Sequence, residues 1–131
     1  MSSIFTKIVT GEIPSYKIAE DNKFLAFLDV FPLVHGHVLV IPKKEVDYIF
    51  DISDSDLSEM IVFSKHVAKA IKAVVDCKRV GIAVIGLEVP HAHIHLVPMH
   101  TVNDINFTQA KLKPSANELS AMAEKIRSQF Q

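Results

Sequence analysis

The chain has 131 residues, of which 49% are hydrophobic and 22% charged, and its formal net charge is −1. These values are typical of a globular protein with one sizeable core, so we expect a single domain over residues 1–131. The small net charge provides no basic field for nucleic acid or an acidic membrane surface, and we predict neither partner. A lone cysteine, Cys77, excludes an internal disulfide. There is no secretory signal, nor an apolar run near the ~20 residues of a spanning helix, so we predict a cytoplasmic protein.

The N-terminal part of the chain predicts a short helix followed by a β-hairpin. Apolar residues recur at helical spacing over Ile4–Thr10, and Gly11 is a natural helix stop. Two strand-like segments, Ser15–Glu20 and Lys23–Asp29, flank Asp21-Asn22, which is a plausible hairpin turn.

The rest of the chain predicts two further strands and two helices. His37–Ile41 is apolar on both faces, as a central strand would be, and Val80–Ile85 is also strand-like. Apolar residues at helical spacing indicate one long helix over roughly Asp56–Asp76. Ser115 and Glu118 form a capping box that opens a C-terminal amphipathic helix. We therefore predict an α+β fold, with an antiparallel-dominated sheet, one long helix packed on it and a C-terminal helix.

Three of the seven histidines occupy alternate positions in one apolar run, at His91, His93 and His95. Successive side chains of a strand point to opposite faces, so we expect the imidazoles on one face. Side chains two residues apart lie roughly 6–7 Å apart, which predicts a row about 13 Å long. The residues between the histidines are predicted to enter a core: Ala92, Ile94 and Leu96.

The histidine row allows three interpretations. The first is that the imidazoles are ordinary half-buried strand residues. The second is a zinc site shared by neighbouring imidazoles with help from His37 or His100, although no cysteine or carboxylate lies close in sequence. The third, which we favour, is a catalytic relay in which His93 is a nucleophile and its neighbours stabilise a phosphoryl group. Imidazole attacks phosphorus readily and leaves readily, so a nucleotidyl-histidine intermediate is chemically reasonable.

Residues 91–97 resemble the His-φ-His-φ-His-φ-φ signature of the histidine triad (HIT) family, where φ is apolar. Four more segments look like parts of that family, in family order: Ile4–Val9, Gly11–Pro14, Phe27–Val30 and Gly36–Lys44. The resemblance implies a HIT-like domain and a homodimer without a cofactor. It also implies a nucleotide hydrolase or nucleotidyl transferase acting at the α-phosphate of a phosphoramidate or dinucleotide. A purine nucleotide such as AMP is the implied substrate or product.

The same resemblance implies roles for individual residues. His93 would attack the phosphate, His95 would hydrogen-bond it, and His91 and His37 would orient and support the relay. Asp29 would accept hydrogen bonds from ribose hydroxyls, although an aspartate that only caps a turn is the alternative. Four apolar residues would form the wall of the base pocket: Ile4, Phe5, Leu28 and Val30.

The chain departs from the family pattern at two places. Some members carry a zinc on two cysteines and a histidine, but the corresponding residues here are Ser3, Thr6 and Glu45, so we predict no metal. The segment before the triad lacks the usual asparagine and Gly-Gln-Ser/Thr residues, and Glu88 stands where a hydroxyl donor is expected. We therefore keep a second hypothesis, a nucleotide-binding regulatory module with weak or lost catalysis. Glu88 is included among the nucleotide-binding candidates, as an acid or as a group that attracts a cationic leaving group.

Overall fold

The computed structural model describes residues 2–131 and contains three α-helices and five β-strands. The helices are α1 (Ile4–Val9), α2 (Asp54–Val74) and α3 (Ala116–Gln129), with short 3-10 turns at Ile49–Asp51 and Val102–Ile105. The strands are β1 (Lys17–Glu20), β2 (Phe24–Leu28), β3 (Val38–Pro42), β4 (Arg79–Ala83) and β5 (Ile94–Met99). They form one sheet in the order β1-β2-β3-β5-β4, and each neighbouring pair is antiparallel. The predicted α+β class and antiparallel sheet are confirmed.

The two longer helices, α2 and α3, cover one face of the sheet. Their apolar sides pack against alternate residues of the strands and form the larger core of the molecule. Its members include Ala26, Leu28, Val40, Met60, Val67, Ile71, Ala92, Ile94, Leu96, Leu119 and Ile126. The side chains predicted to lie between the histidines are thus in this core, as expected from the alternation of a strand.

The opposite face of the sheet carries a smaller core beneath α1. Phe5 and Ile8 from α1 pack against four strand residues: Leu25, Phe27, Leu39 and Ile41. Because α1 has only six residues, it covers only part of this face. The histidines lie on this side, next to Phe5.

Side-chain caps define where the helices begin. The Ser53 Oγ accepts a hydrogen bond from the Asp56 backbone N–H, so α2 starts at Asp54, two residues earlier than predicted. Ser115 and Glu118 make both bonds of the predicted capping box, at 3.0 and 3.1 Å. None of the helices within residues 2–131 combines the length and the apolar character needed to cross a bilayer.

The histidine segment is shorter as a strand than the sequence predicts. The last residue pair of β4 and β5 is Ala83 with His95, and β5 itself begins at Ile94. Upstream of it the chain bends, because the Ala92 N–H donates to the Val46 carbonyl at 2.7 Å. Residues 84 and 85 have no partner strand and lie outside the sheet. β4 therefore ends at Ala83, two residues before the predicted end at Ile85.

Candidate active site

A cavity of about 480 Å³ opens on the face of the sheet that α2 and α3 do not cover. His93 and His95 line it, together with the acidic residues Asp29 and Glu88 and the basic residue Lys111. The remaining lining is mainly apolar and includes Phe5, Phe31, Leu39, Val89 and Phe107. A largely apolar cleft with a few convergent polar groups is the usual form of a small-molecule site.

A tight turn places His37 behind the cavity. Gly36 has φ +93°, a left-handed conformation that suits glycine. A Cβ at this position would lie 3.0 Å from a methyl of Val75 and 3.3 Å from Pro98, so a larger residue would disturb both neighbours. The turn delivers the next residue, His37, into the interior with only 1% of its surface exposed.

The hydrogen bonds around His37 set the tautomers of two rings. The Leu33 N–H donates to the His37 Nδ1 at 3.0 Å, so this nitrogen must carry a lone pair. The proton of a neutral His37 then lies on Nε2, which donates to the His95 Nδ1 at 2.9 Å. His95 in turn keeps its own proton on Nε2. Burial is the main cause that lowers the pKa of His37 to about 3 and that of His95 to about 4, so both rings are neutral at pH 7.

His93 is held in the opposite tautomer. Its Nδ1 lies 2.8 Å from the His91 carbonyl oxygen, which only accepts hydrogen bonds, so Nδ1 carries the proton. The Nε2 of a neutral His93 therefore carries a lone pair. Every buried side-chain nitrogen or oxygen among the described residues has a hydrogen-bond partner, and this Nε2 has none, so it is accessible from the cavity. The ring centroids of His93 and His95 are 4.9 Å apart, so a ring with a lone pair on Nε2 neighbours a ring with its proton on Nε2.

His91 does not face the cavity but joins a cluster of hydrogen bonds at the start of α1. Its Nε2–H donates to the Pro42 carbonyl at 2.8 Å, and its Nδ1 accepts from the Ser3 hydroxyl at 2.8 Å. Glu45 accepts from the Ser3 N–H and the Thr6 hydroxyl at 2.7 and 2.6 Å. These bonds lower the pKa of Glu45 to about 2. We call Ser3, Thr6, Glu45 and His91 the N-terminal clasp, since together they tie α1 to the segment after β3 and to the segment before β5.

The N-terminal clasp occupies the positions where the family resemblance places a zinc in some members, and its donor set does not fit that metal. Zinc prefers thiolates and imidazoles, whereas Ser3 and Thr6 offer neutral hydroxyls and only Glu45 is anionic. A second group, Asp29, His37 and His95, has ligand atoms within 4.8 Å of one another. There the facing nitrogens of the two rings already hydrogen-bond each other, so they do not present two lone pairs to a metal.

Asp29 caps a turn with one oxygen and leaves the other unbonded. One oxygen, Oδ1, accepts a hydrogen bond from the Phe31 N–H at 2.9 Å and stabilises the turn after β2. The other, Oδ2, lies 3.8 Å from the His37 Nε2, too far for a hydrogen bond. Burial raises the pKa of this carboxyl group. Asp29 thus caps a turn and still has an acceptor oxygen at the cavity.

Three of the four residues predicted to wall a base pocket lie elsewhere. Leu28 is 2% exposed and belongs to the core under α2 and α3, on the opposite face of the sheet, so its assignment is wrong. Ile4 and Val30 are exposed and outside the lining of the cavity. Phe5 does line it, with its ring centroid 5.0 Å from that of His93.

The structure also adds residues from the segment that follows β5. The ring centroid of Phe107 lies 4.6 Å from that of His95, and the Lys111 Nζ lies over the Phe107 ring, 5.4 Å from its centroid. Both residues line the cavity. A backbone hydrogen bond of 2.9 Å from the Leu112 N–H to the Pro32 carbonyl holds this segment against the turn after Asp29. No motif marks these residues, and the contact that brings them to the site is long-range.

Comparison with known proteins gives the family. Residues 10–102 match the model of the HIT domain, which is more than half of the chain. The protein belongs to the HIT family. Its triad is His91, His93 and His95, and the match ends before Phe107 and Lys111.

Relatives of known sequence and structure support this assignment. The HIT protein is 33% identical to an uncharacterised HIT-like protein of Borreliella burgdorferi, over 95% of this chain and 90% of the relative. It is also 33% identical to an adenosine 5′-monophosphoramidase of Schizosaccharomyces pombe, over 99% of both chains. The crystal structure of a HIT-like protein from Bartonella henselae superposes with a TM-score of 0.86 at 28% identity, covering 98% and 96% of the two chains.

The stability of this HIT protein is predicted to depend on Ser3. Replacing Ser3 by Ala removes the N-cap of α1 and leaves the buried Nδ1 of His91 without its donor. We expect a loss of about 1–3 kcal/mol in the free energy of unfolding, measured with urea. Ser3→Thr, which keeps the hydroxyl, and Ser2→Ala, outside the N-terminal clasp, should change it little. Equal stability of Ser3→Ala and the wild type would show that these hydrogen bonds contribute nothing.

The neutral histidines predict a loss of stability in mild acid. His37 and His95 titrate near pH 6.5 when unfolded but only at about 3 and 4 when folded, so the unfolded chain binds more protons in between. The free energy of unfolding should therefore fall as the pH is lowered from 6.5 to 4. Each ring contributes a slope of about 1.4 kcal/mol per pH unit. A His37→Asn variant, whose amide oxygen can accept from the Leu33 N–H, should show a smaller slope in urea unfolding; the same slope would contradict neutral burial of His37.

Proposed function

We propose that this protein is a nucleotide hydrolase of the phosphoramidase type, which acts at the α-phosphate without a metal and through a nucleotidyl-histidine intermediate. The observation that carries the proposal is the protonation pattern of the adjacent rings. His93 presents a lone pair on Nε2, and the neighbouring His95 presents an N–H on its own Nε2. The centroids of the two rings are 4.9 Å apart. A nucleophile beside a hydrogen-bond donor is what displacement at phosphorus requires.

The reaction would proceed in two displacements. In the first, the His93 Nε2 forms a bond to phosphorus, and the bond from phosphorus to the leaving group breaks; an amine leaves with a proton taken from water. The His93 ring then carries a positive charge, which the His91 carbonyl stabilises through its 2.8 Å hydrogen bond to Nδ1. In the second, water attacks phosphorus, His93 is released, and a nucleoside monophosphate forms. The His95 N–H donates to a phosphate oxygen in both steps.

The rest of the cavity supports a nucleoside next to this phosphate. The free Oδ2 of Asp29 is an acceptor for ribose hydroxyls, as the family resemblance implies. Phe5, Phe31 and Leu39 provide apolar wall for a purine base, a role in which Phe31 and Leu39 replace the predicted Ile4, Leu28 and Val30. The adenosine 5′-monophosphoramidase relative makes AMP the first nucleotide to test.

One observation favours the alternative, a nucleotide-binding module with little catalysis. Residues 86–89 line the cavity next to the triad and contain no side-chain amide or hydroxyl group. They include Glu88 instead, whose carboxylate would repel a phosphate at close range. The same charge would attract a cationic leaving group, so the leaving group decides whether Glu88 impedes or assists turnover.

The proposed chemistry predicts a covalent adduct on His93. We expect adenosine 5′-phosphoramidate to yield AMP and, in a single turnover with a His95→Ala variant, an adduct of adenylate mass that maps to His93 in intact-protein and peptide mass spectrometry. His93→Ala should lose more than about 10³-fold in kcat. His100→Ala, an exposed histidine outside the cavity, is the matched control and should retain full activity.

The outcomes separate the two functions. Full activity of His93→Ala would refute the mechanism. AMP binding by the wild type with neither adduct nor turnover, across phosphoramidates and dinucleotides, would establish the binding module instead.

We further propose that the protein is a homodimer that buries α2 and the edge strand β4. Near this edge, several apolar side chains are unusually exposed and line a groove of about 590 Å³: Tyr48, Phe50, Ile61, Ile82 and Val84. β4 pairs only with β5, so its outer edge has free backbone groups. A contiguous apolar patch beside an open edge is typical of a subunit interface. His93 also borders this groove, so a second copy would lie close to the cavity.

The dimer proposal predicts that one charge on α2 separates the subunits. Ile61→Glu places a carboxylate in the proposed interface, where its desolvation is costly, and should give a monomer in sedimentation velocity at micromolar concentration. Val102→Lys alters another exposed apolar residue, outside the groove, and should leave the dimer intact. A wild-type monomer would refute the proposal.

A further inference from the structure

Lys111 lies at the cavity but outside the region that the family model describes. The HIT match ends at residue 102, whereas Lys111 belongs to the segment that returns across the mouth of the cavity after β5. Its Nζ is 5.4 Å from the ring centroid of Phe107, and that ring is 4.6 Å from the ring of His95. The Phe107 ring therefore contacts both the ammonium group and the imidazole that would bind the α-phosphate.

The position of Lys111 is set by its backbone as well as by its side chain. The next residue, Leu112, donates its N–H to the Pro32 carbonyl at 2.9 Å, which anchors the chain beside the turn that follows Asp29. The ammonium group donates weakly to the Phe107 carbonyl, at 3.4 Å, and contacts the face of the same residue. These contacts hold the charge over the cavity and leave most of its hydrogen-bonding capacity unused.

The charge of Lys111 is not neutralised by the protein. Among residues 2–131, no carboxylate lies within 4.0 Å of its Nζ, whereas Lys17, Lys23 and Lys43 each have such a partner. It is also the only lysine or arginine among the described residues that line the cavity. Its field reaches the polar groups of the site: its charge adds to the lowering of the pKa values of His37 and His95 and opposes the larger effect of burial, which raises the pKa of Asp29.

We propose that Lys111, supported by Phe107, binds a second phosphate of the nucleotide, so that the preferred ligand carries another phosphate group in addition to the α-phosphate. The proposal rests on the proposed function for the placement of the α-phosphate at His93 and His95. Two phosphates of a nucleotide carry more charge than two neutral imidazoles can balance, and Lys111 supplies the missing cation. Among the described residues, Glu88 forms no ion pair with Lys111, so the positive charge of Lys111 can attract an anion. The second phosphate would therefore lie at the Lys111 end of the cavity.

The second phosphate could be attached at either of two positions on the ligand. A β-phosphate would continue the chain beyond the α-phosphate near His95. A phosphate on the ribose would instead lie near Asp29, beside the anchored turn. Both present the same chemistry to Lys111, and ligands with one or the other distinguish them.

The test is calorimetric titration of the full chain with AMP, ADP, adenosine 2′,5′-bisphosphate and adenosine 3′,5′-bisphosphate. For each protein, the readout is the ratio of the Kd for AMP to the Kd for the two-phosphate ligand. We expect the wild type to bind at least one of the two-phosphate ligands about tenfold more tightly than AMP. Lys111→Ala should bring this ratio close to one, and Lys111→Arg should restore most of it. Lys113→Ala, an exposed lysine two residues away and outside the cavity, should keep the wild-type ratio.

Each result decides the proposal. If Lys111→Ala lowers the ratio of the AMP Kd to the ADP Kd, Lys111 binds a β-phosphate. If it lowers the ratio for one of the bisphosphates, Lys111 binds a phosphate on the ribose. Added salt should reduce the Kd ratio in the wild type, Lys111→Arg and Lys113→Ala, which all have a cation at position 111, and should not change it in Lys111→Ala. If AMP binds but no ratio depends on Lys111, the proposal is overturned and the proposed function stands. If none of the four nucleotides binds, both are overturned.

Discussion

The alternation of side chains along residues 91–96 is the constraint on which the fold and the site both depend. Ala92, Ile94 and Leu96 belong to the core beneath the two longer helices, and His93 and His95 face the cavity on the other side. A shift of one residue would place imidazoles in an apolar core and remove them from the site. The burial of three apolar side chains therefore fixes the positions of the two histidines, and the free energy of folding maintains the geometry of the proposed chemistry.

The imidazoles are set by acceptors and donors that belong to the backbone. The carbonyls of Pro42 and His91 and the N–H of Leu33 each fix one ring nitrogen. Backbone groups do not titrate, so the tautomers persist over the pH range in which the rings stay neutral. His37 and His95 carry no charge near pH 7, and the acidic and basic side chains other than histidine that line the cavity are Asp29, Glu88 and Lys111.

Periodicity and capping residues predicted most of the fold, because they depend on short-range patterns. The two longer helices, the hairpin and the strand segments follow from such patterns, and the predicted ends differ from the observed ones by about two residues. The order of the strands in the sheet comes from the structure alone. The placement of Leu28 in a base pocket rested on the family resemblance, and the sequence of β2 could not correct it, because the strand is buried on both sides and its alternation does not show which side faces the site. Contacts over long separations had no local signal: Ser3 meets Glu45 across 42 residues, and Lys111 reaches the cavity only through the fold. The triad and Asp29 could be named from motifs, whereas their protonation required the geometry.

The N-terminal clasp also limits how such a protein can change during evolution. Its hydrogen bonds need the hydroxyls of Ser3 and Thr6 and the carboxylate of Glu45 at the same time. A zinc centre at these positions needs two thiols and an imidazole at the same time. A chain with one or two of the three replacements has an incomplete version of both, so the intermediate sequences are less stable than either end point. The two solutions are separate optima, and a lineage that holds one is expected to keep all three residues together.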